Sequence, residues 1–201
     1  MTPAAPGTLS HSDLVSRLAA RPPGETTVLT PNARLAGALA QAVADEHLAA
    51  GREAWPAPDI LPFGQWLERL HDEARFDDSG DRVPPLLAPE AERLGWEIAI
   101  GEDPGRPLLV GAGALAREAR AAWALAHDWG IEGALGSWEG AEDARAFAGW
   151  ASAWRERLRQ HGWIDAPALR ELARALLARP AARKPATLVA YAFDILTPAQ
   201  R

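Results

Sequence analysis

The feature that most limits the fold of this chain is a change in the spacing of its apolar residues. A β-branched run at Thr26–Thr30 predicts a buried strand, and Thr187–Tyr191 predicts another near the other end of the chain. Between residues 86 and 185 the apolar spacing is almost wholly helical. This order predicts an α/β fold that carries a large all-helical insertion, with Val28 and Val189 in one sheet.

The residues before the insertion predict two strand-turn-helix units. The Pro31-Asn32 pair ends the first strand, and a helix with apolar residues at regular spacing follows it to a stop near Gly51. Ile60-Leu61 predicts a second short strand that leads into another helix. A polar, proline-bearing segment at 77–85 is the best internal boundary. We therefore predict an N-terminal α/β part at 1–85, a helical insertion at 86–185 and a returning strand at 186–201.

Within the insertion, apolar stripes indicate helices that pack as a bundle. The first helix is predicted to bury the stripe formed by Leu87, Ala91, Leu94 and Ile98. Most of the nine tryptophans lie on such stripes, so core packing is the favoured interpretation for them, and base stacking the alternative. Trp55 and Trp66 are the better candidates for an exposed role, although the position of Trp66 on the same helix face as Phe63 and Leu70 favours its burial. Asp165 is predicted to cap the last helix, with Pro167 in its first turn.

Composition excludes several classes of protein. The chain has no cysteine, which removes disulfides, thiolate metal sites and cysteine nucleophiles. Its formal net charge of -6 argues against a protein that coats nucleic acid, although a local basic groove stays possible. No apolar run reaches the roughly 20 residues of a membrane helix, and no secretory signal pattern opens the sequence. A cytoplasmic protein with no membrane association is expected.

Motifs for catalysis or cofactor binding are missing from the sequence. A P-loop needs Gly-Lys-Ser/Thr after a glycine-rich turn, whereas the single lysine, Lys184, is followed by Pro185. The histidines are scattered and lack the paired spacing of a zinc site; they are His11, His47, His71, His127 and His161. We therefore expect no catalytic residue, no metal site and no cofactor in this chain, and no hydrolysis of ATP.

One weak motif supports an alternative function. Gly111-Ala112-Gly113 follows the apolar run Leu108-Leu109-Val110 and precedes a helix, which is the outline of a dinucleotide fingerprint. That fingerprint also requires a second strand ending in an acidic residue about 20 positions later. Here the helical pattern continues through Trp123 and Trp129. A nucleotide-binding α/β protein stays an alternative, and small residues at the entry to a helix are the favoured interpretation.

Three segments together resemble a known family of DNA-repair proteins. Val28-Leu29-Thr30-Pro31-Asn32-Ala33-Arg34-Leu35-Ala36 resembles the motif Ia region of superfamily 1 helicases, and Asp59-Ile60-Leu61-Pro62-Phe63-Gly64-Gln65-Trp66-Leu67 resembles the next helicase segment. The third segment runs from Leu188 to Gln200. It is similar to the Gly-Phe-Asp-x-Leu-Thr-Pro-x-Gln pattern of AddB-like nucleases, with Ala192 in place of the glycine. The chain thus resembles the N-terminal, helicase-like region of RecB/AddB-type nucleases.

This resemblance implies a partial RecA-like (superfamily 1 helicase-like) domain with a helical insertion. Without a P-loop or the Asp-Glu pair of the Walker B strand, it implies a degenerate helicase module that handles DNA or docks another subunit. Such a module belongs to a longer repair protein whose PD-(D/E)XK nuclease domain, with its metal and often an iron-sulfur cluster, does the cutting. The implied partners are a single-stranded or double-stranded DNA end and a helicase-nuclease subunit.

The same resemblance implies which residues contact DNA. The turn after the first strand would meet the backbone of a single strand through Thr30, Asn32 and Arg34, with Gln65 and Trp66 as further candidates. A helix that begins near Asn32 would add its unpaired amides and its positive dipole end, which favour a phosphate. The alternative is that Asn32 only caps the helix and Arg34 is a solvated charge. A helical adaptor that binds only protein is the remaining alternative for function.

Overall fold

The computed structural model describes residues 7–22, 24–76, 82–105, 111–137, 142–180 and 182–200. In chain order the elements are α1 (His11–Ala20), β1 (Thr26–Thr30), α2 (Ala33–Ala49), β2 (Asp59–Pro62), α3 (Phe63–Arg75), α4 (Pro89–Gly101), α5 (Ala112–Trp129), a 3-10 helix (Glu132–Ser137), α6 (Glu142–His161), α7 (Ala166–Ala178), β3 (Thr187–Ala190) and a second 3-10 helix (Pro198–Gln200). Residues 77–81 of the predicted boundary segment, the apolar residues 108–110 and Arg201 lie outside the described residues.

The chain divides into two compact units. The first comprises Met1–Trp66 and Arg183–Asp194, and the second comprises Leu67–Ala182 and Ile195–Arg201. Across the described ranges, every helix is too short or too polar to cross a lipid bilayer.

The first unit contains a three-stranded parallel sheet in the order β2-β1-β3. Val28 of the central strand lies opposite Ile60 on one side and Val189 on the other. All five residues of β1 are buried, as expected for a strand covered on both faces. The prediction that Val28 and Val189 share a sheet is confirmed, and the fold is mixed α/β.

Two helices supply the core of this unit. Ser10 caps α1 by accepting the Asp13 backbone N–H at 3.1 Å, and α1 ends just before the Arg21-Pro22 pair. The helical spacing of the apolar residues in α1 and α2 puts them on one face of each helix. The buried cluster consists of Leu14, Val15, Leu18, Val28, Leu39 and Val43.

The second unit is built around tryptophan side chains from three helices. Trp96 and Trp154 are fully buried, with ring centroids 5.5 Å apart, and Trp123 and Trp150 join the same cluster. A Cβ at Gly95 would overlap the ring of Trp154, so only glycine permits this close approach. The prediction that these tryptophans pack in a core is confirmed.

The predicted buried face of α4 is wrong. Leu87 precedes the helix, and Ala91, Leu94 and Ile98 are exposed. The helix instead buries the face that carries Trp96 and Ile100, since an indole ring removes more apolar surface from water than the smaller side chains of the predicted stripe.

Asp165 joins two of the tryptophans to the start of α7. Its Oδ1 accepts the Ala168 backbone N–H at 3.1 Å, which confirms the predicted cap, and Pro167 lies in the first turn. Its Oδ2 accepts the indole N–H groups of Trp123 and Trp154 at 2.8 and 2.9 Å. The buried carboxylate is therefore fully hydrogen-bonded, as a charge in a core must be.

Candidate nucleic-acid interface

The parallel strands of the first unit end at one edge of the sheet. β1, β2 and β3 end at Thr30, Pro62 and Ala190, so α2, α3 and the turn after β3 all start at that edge. In open α/β sheets, ligands bind outside the carboxyl ends of the strands. We call this region the carboxyl edge; it contains every residue that the sequence predicts to contact DNA.

The turn between β1 and α2 is held by its own side chains. Thr30 is fully buried, and its hydroxyl donates to the Asn32 carbonyl oxygen at 2.9 Å. Oδ1 of Asn32 accepts the Leu35 backbone N–H at 3.0 Å, so Asn32 is the N-cap of α2. The Thr30 hydroxyl therefore shapes the turn from inside, and the alternative interpretation of Asn32 as a cap is confirmed.

Arg34 lies at the second position of α2 and is exposed. No hydrogen bond or ion pair joins its guanidinium to another described residue. The first turn of α2 contains no acidic side chain, so nothing on the helix neutralises its positive end. The first backbone N–H groups of a helix lack intrahelical partners. The Asn32 cap satisfies the Leu35 N–H, and an exposed cation in the first turn of such a helix is an arrangement suited to an anion.

The start of α3 contributes a second set of residues to the carboxyl edge. Gly64 and Gln65 are exposed, and the first turn of α3 also lacks an acidic residue. Trp66, in contrast, is only 6% exposed, and its ring lies 6.0 Å from that of Phe63. Burial of Trp66 beside Phe63 and Leu70 is confirmed, and the alternative of an exposed role for Trp66 is wrong. It cannot offer its ring to a base in this conformation.

Trp55, the other tryptophan expected to be exposed, is half-buried. Its ring stacks on that of His47 at a centroid distance of 4.9 Å. His47 is itself buried and is contacted at Nδ1 by Arg52. Trp55 therefore covers a packed histidine, and its remaining surface is smaller than that of an open stacking platform.

The turn after β3 completes the carboxyl edge. Ala192 has a φ of 58°, in the left-handed region that glycine occupies without steric cost. The neighbouring Tyr191 hydroxyl lies 3.0 Å from His11 Nδ1, which fixes the turn against α1. Asp194 is exposed at the end of this turn. The glycine of the similar pattern is the one sequence signal for the unusual backbone of Ala192.

The carboxylate of Asp59 is engaged away from this edge. Asp59 opens β2, at the opposite end of the strand, and accepts the Thr27 hydroxyl at 2.5 Å. Among residues 191–194, which form the turn after β3, Asp194 is the one residue with a carboxylate. The candidate interface combines Arg34, two helix N-termini and the exposed amide of Gln65.

The glycines of the dinucleotide motif lie in the second unit. Gly111 is the N-cap of α5, and Gly113 lies inside that helix, where an added Cβ would be 3.2 Å from Glu97 Oε1. After Trp129, residues 131–137 and 142–180 contain no strand. This geometry favours close packing of α5 against α4 as the role of Gly113, and it gives no support to a dinucleotide site.

Comparison with known proteins does not assign the chain to a family. No protein-family model matches the chain, and a search of curated proteins finds no significant match. Functional inference therefore rests on the residues and on the geometry described above.

Proposed function

We propose that this chain is a non-catalytic, helicase-like module that handles DNA in a bacterial repair or recombination nuclease. The observation that carries the proposal is the position of Arg34, an exposed guanidinium without an ion-pair partner among the described residues, in the first turn of α2. Arginine suits phosphate because its planar guanidinium offers two parallel donors. The ligand proposed here is the backbone of a single strand.

The arrangement of the three similar segments supports a RecA-like origin for this module. They correspond to β1 with α2, to β2 with α3, and to β3 with the turn that follows it. The three strands form one parallel sheet. The pattern has glycine where this chain has Ala192, and Ala192 has the backbone conformation that glycine favours. A shared local geometry is the physical reason for expecting a glycine there.

The proposed contact is independent of base sequence. A guanidinium and helix N–H groups bind phosphate oxygens, which are the same at every nucleotide. Gln65 adds an exposed amide to the proposed surface, whereas Thr30 and Trp66 act from within by fixing the turn and the start of α3. No step of ATP hydrolysis is proposed, because the sequence has no P-loop and its one lysine, Lys184, precedes a proline.

Subunit docking is a second candidate function, and one observation favours it. Leu188 is 49% exposed on β3, which pairs with β1 on one side and with no other described strand. An exposed leucine on an edge strand is suited to contact with another protein chain. This candidate predicts that the protein has no salt-dependent affinity for DNA.

Titration of a fluorescent single-stranded oligonucleotide with the purified protein tests the proposal. Anisotropy should rise at low salt, equally for strands of different base sequence, and the affinity should fall linearly with the logarithm of salt concentration. A matched titration with a double-stranded end compares the two forms of DNA. Absence of binding to both forms at low salt would reject DNA handling and leave docking as the better account.

A further inference from the structure

Three side chains of the second unit bring together one imidazole and two carboxylates. His127 lies in the last turn of α5, Glu132 opens the following 3-10 helix, and Glu171 lies within α7. One ligand atom from each of the three lies within 4.8 Å of the other two. Their separation along the chain explains why the sequence, with its scattered histidines, predicts no metal site.

The fold of the second unit holds these residues in place. Gly130 adopts a φ of 66° at the end of α5, which turns the chain so that Glu132 comes back beside His127. Next to the cluster, Arg170 of α7 forms an ion pair with Asp128 of α5 and fixes these two helices to each other. Because the charges of Arg170 and Asp128 neutralise each other, this ion pair does not neutralise the negative charge of the cluster.

Two polar atoms of the cluster are buried without a hydrogen-bond partner among the described residues. They are Nε2 of His127 and Oε2 of Glu132. The His127 side chain is 8% exposed, and its other nitrogen, Nδ1, lies 2.7 Å from Glu171 Oε1. Buried polar atoms are nearly always satisfied, because an unpaired one has lost its hydrogen bonds to water without a replacement. The unpaired carboxylate oxygen of Glu132, in a cluster with a second carboxylate, indicates a missing cation. Nε2 of His127 points away from the Nδ1 side of the ring, which faces Glu171, so the same ion does not account for it.

We propose that His127, Glu132 and Glu171 bind a divalent transition-metal ion, with Zn²⁺ the best match. With a neutral imidazole the cluster carries two negative charges, which a divalent cation neutralises. Imidazole and carboxylate are both zinc ligands, and the preference of such mixed nitrogen and oxygen sites for Zn²⁺ over Mg²⁺ follows the softness of the imidazole nitrogen.

The distances allow such an ion after a small rearrangement. Zinc binds these ligands at about 2.0–2.2 Å, so ligand atoms on one tetrahedral ion lie about 3.4 Å apart. The carboxylate of Glu171 is 61% exposed and is free to turn toward that spacing. The nearby guanidinium of Arg155 donates to the backbone oxygen of Glu132 and lies 5.4 Å from the Trp123 ring centre, which leaves the Glu132 carboxylate to the metal.

The bound ion would have a structural role. Three protein ligands from α5, the 3-10 helix and α7 would join the end of one helix to the middle of another. Binding to the folded state alone raises stability in proportion to the logarithm of the metal concentration above Kd. Zinc should therefore raise the melting temperature of the protein.

Calorimetric titration of the full chain with ZnCl₂ tests this site. The protein should carry no polyhistidine tag and should first be treated with a chelator. One equivalent should bind, and Zn²⁺ should raise the melting temperature, whereas MgCl₂ should do neither. The variants are His127→Gln and Glu171→Gln, each of which should weaken zinc binding at least about tenfold. Glu171 is exposed, so its variant should fold even if the change at His127 disturbs the contact with Trp123.

Matched controls come from exposed residues of the same unit. His161→Gln and Glu118→Gln remove an equivalent histidine and an equivalent carboxylate that lie outside the cluster. Both control proteins should bind zinc as tightly as the wild type. The proposal is overturned if the wild type takes up no zinc, if the controls lose binding as strongly as the cluster variants, or if Mg²⁺ binds as tightly as Zn²⁺.

Discussion

The indole N–H of Trp154 donates to Oδ2 of Asp165 at 2.9 Å, and both side chains are fully buried. The same oxygen accepts a hydrogen bond from the indole N–H of Trp123, and the other oxygen caps α7 by accepting the Ala168 backbone N–H. One carboxylate thus satisfies the polar groups of two core tryptophans and the start of a helix. Its loss should disturb three elements of the second unit at once.

Replacement of Asp165 by Asn tests this role. An asparagine offers one oxygen, so its NH₂ group would face indole or backbone N–H donors that need an acceptor. We expect the free energy of unfolding to fall by about 2–4 kcal/mol, from an unsatisfied buried donor and a weakened cap. Urea unfolding followed by circular dichroism measures it. Trp129→Phe, at an exposed tryptophan of α5, should change stability by no more than about 0.5 kcal/mol.

Ala192→Gly should stabilise the protein. At a φ of 58° an alanine costs about 1–2 kcal/mol, whereas glycine pays about 0.5–1 kcal/mol in chain entropy. The expected net gain in unfolding free energy is up to about 1.5 kcal/mol. Ala190→Gly, in the extended conformation of β3, should instead be destabilising by about 0.5–1 kcal/mol. A loss of stability in both variants would contradict the left-handed backbone at Ala192.

Glu92 predicts a pH dependence of stability. Burial raises the pKa of this carboxyl above 4.5, although the Arg120 guanidinium, 2.9 Å away, opposes the shift. Because the folded state then holds the proton more tightly than the unfolded state, the contribution of Glu92 is fully present below pH 4.5 and declines as pH rises through the raised pKa.

The measurement for Glu92 compares the free energies of unfolding of the wild type and Glu92→Gln from about pH 4 upward. Glutamine does not titrate, so the stability of the wild type relative to the variant should decrease with rising pH above 4.5. A difference that stays constant, or one that increases, would show that the pKa of Glu92 is not raised in the folded protein.

Local patterns predicted the elements whose residues interact along the chain. β1 and the capped start of α2 follow from Thr26–Thr30 and Asn32, and the order of strands placed Val189 beside Val28. Such patterns do not predict contacts between residues that are far apart in the sequence. The sequence pattern identified Asp165 as a helix cap. It could not show that this carboxylate also accepts hydrogen bonds from two indole N–H groups.

Only part of the candidate site was predicted, because sequence patterns report local structure and not the contacts between distant residues. The sequence located the turn that carries Arg34, because a strand end and a cap are local signals. It left Trp66 between base stacking and burial beside Phe63 and Leu70, since burial depends on which face of α3 packs inward, and the structure shows burial. Whether DNA binds at this turn is still a prediction.

Single-strand binding by Arg34→Ala tests the central proposal most directly. The measurement is an anisotropy titration at several salt concentrations, with folding checked by circular dichroism and with Arg117→Ala, an exposed arginine of α5, as the charge-matched control. We predict a uniform loss of affinity across base sequences and a salt slope reduced by about one for Arg34→Ala, with no change for the control. Unchanged affinity and unchanged slope for Arg34→Ala would contradict the proposed interface.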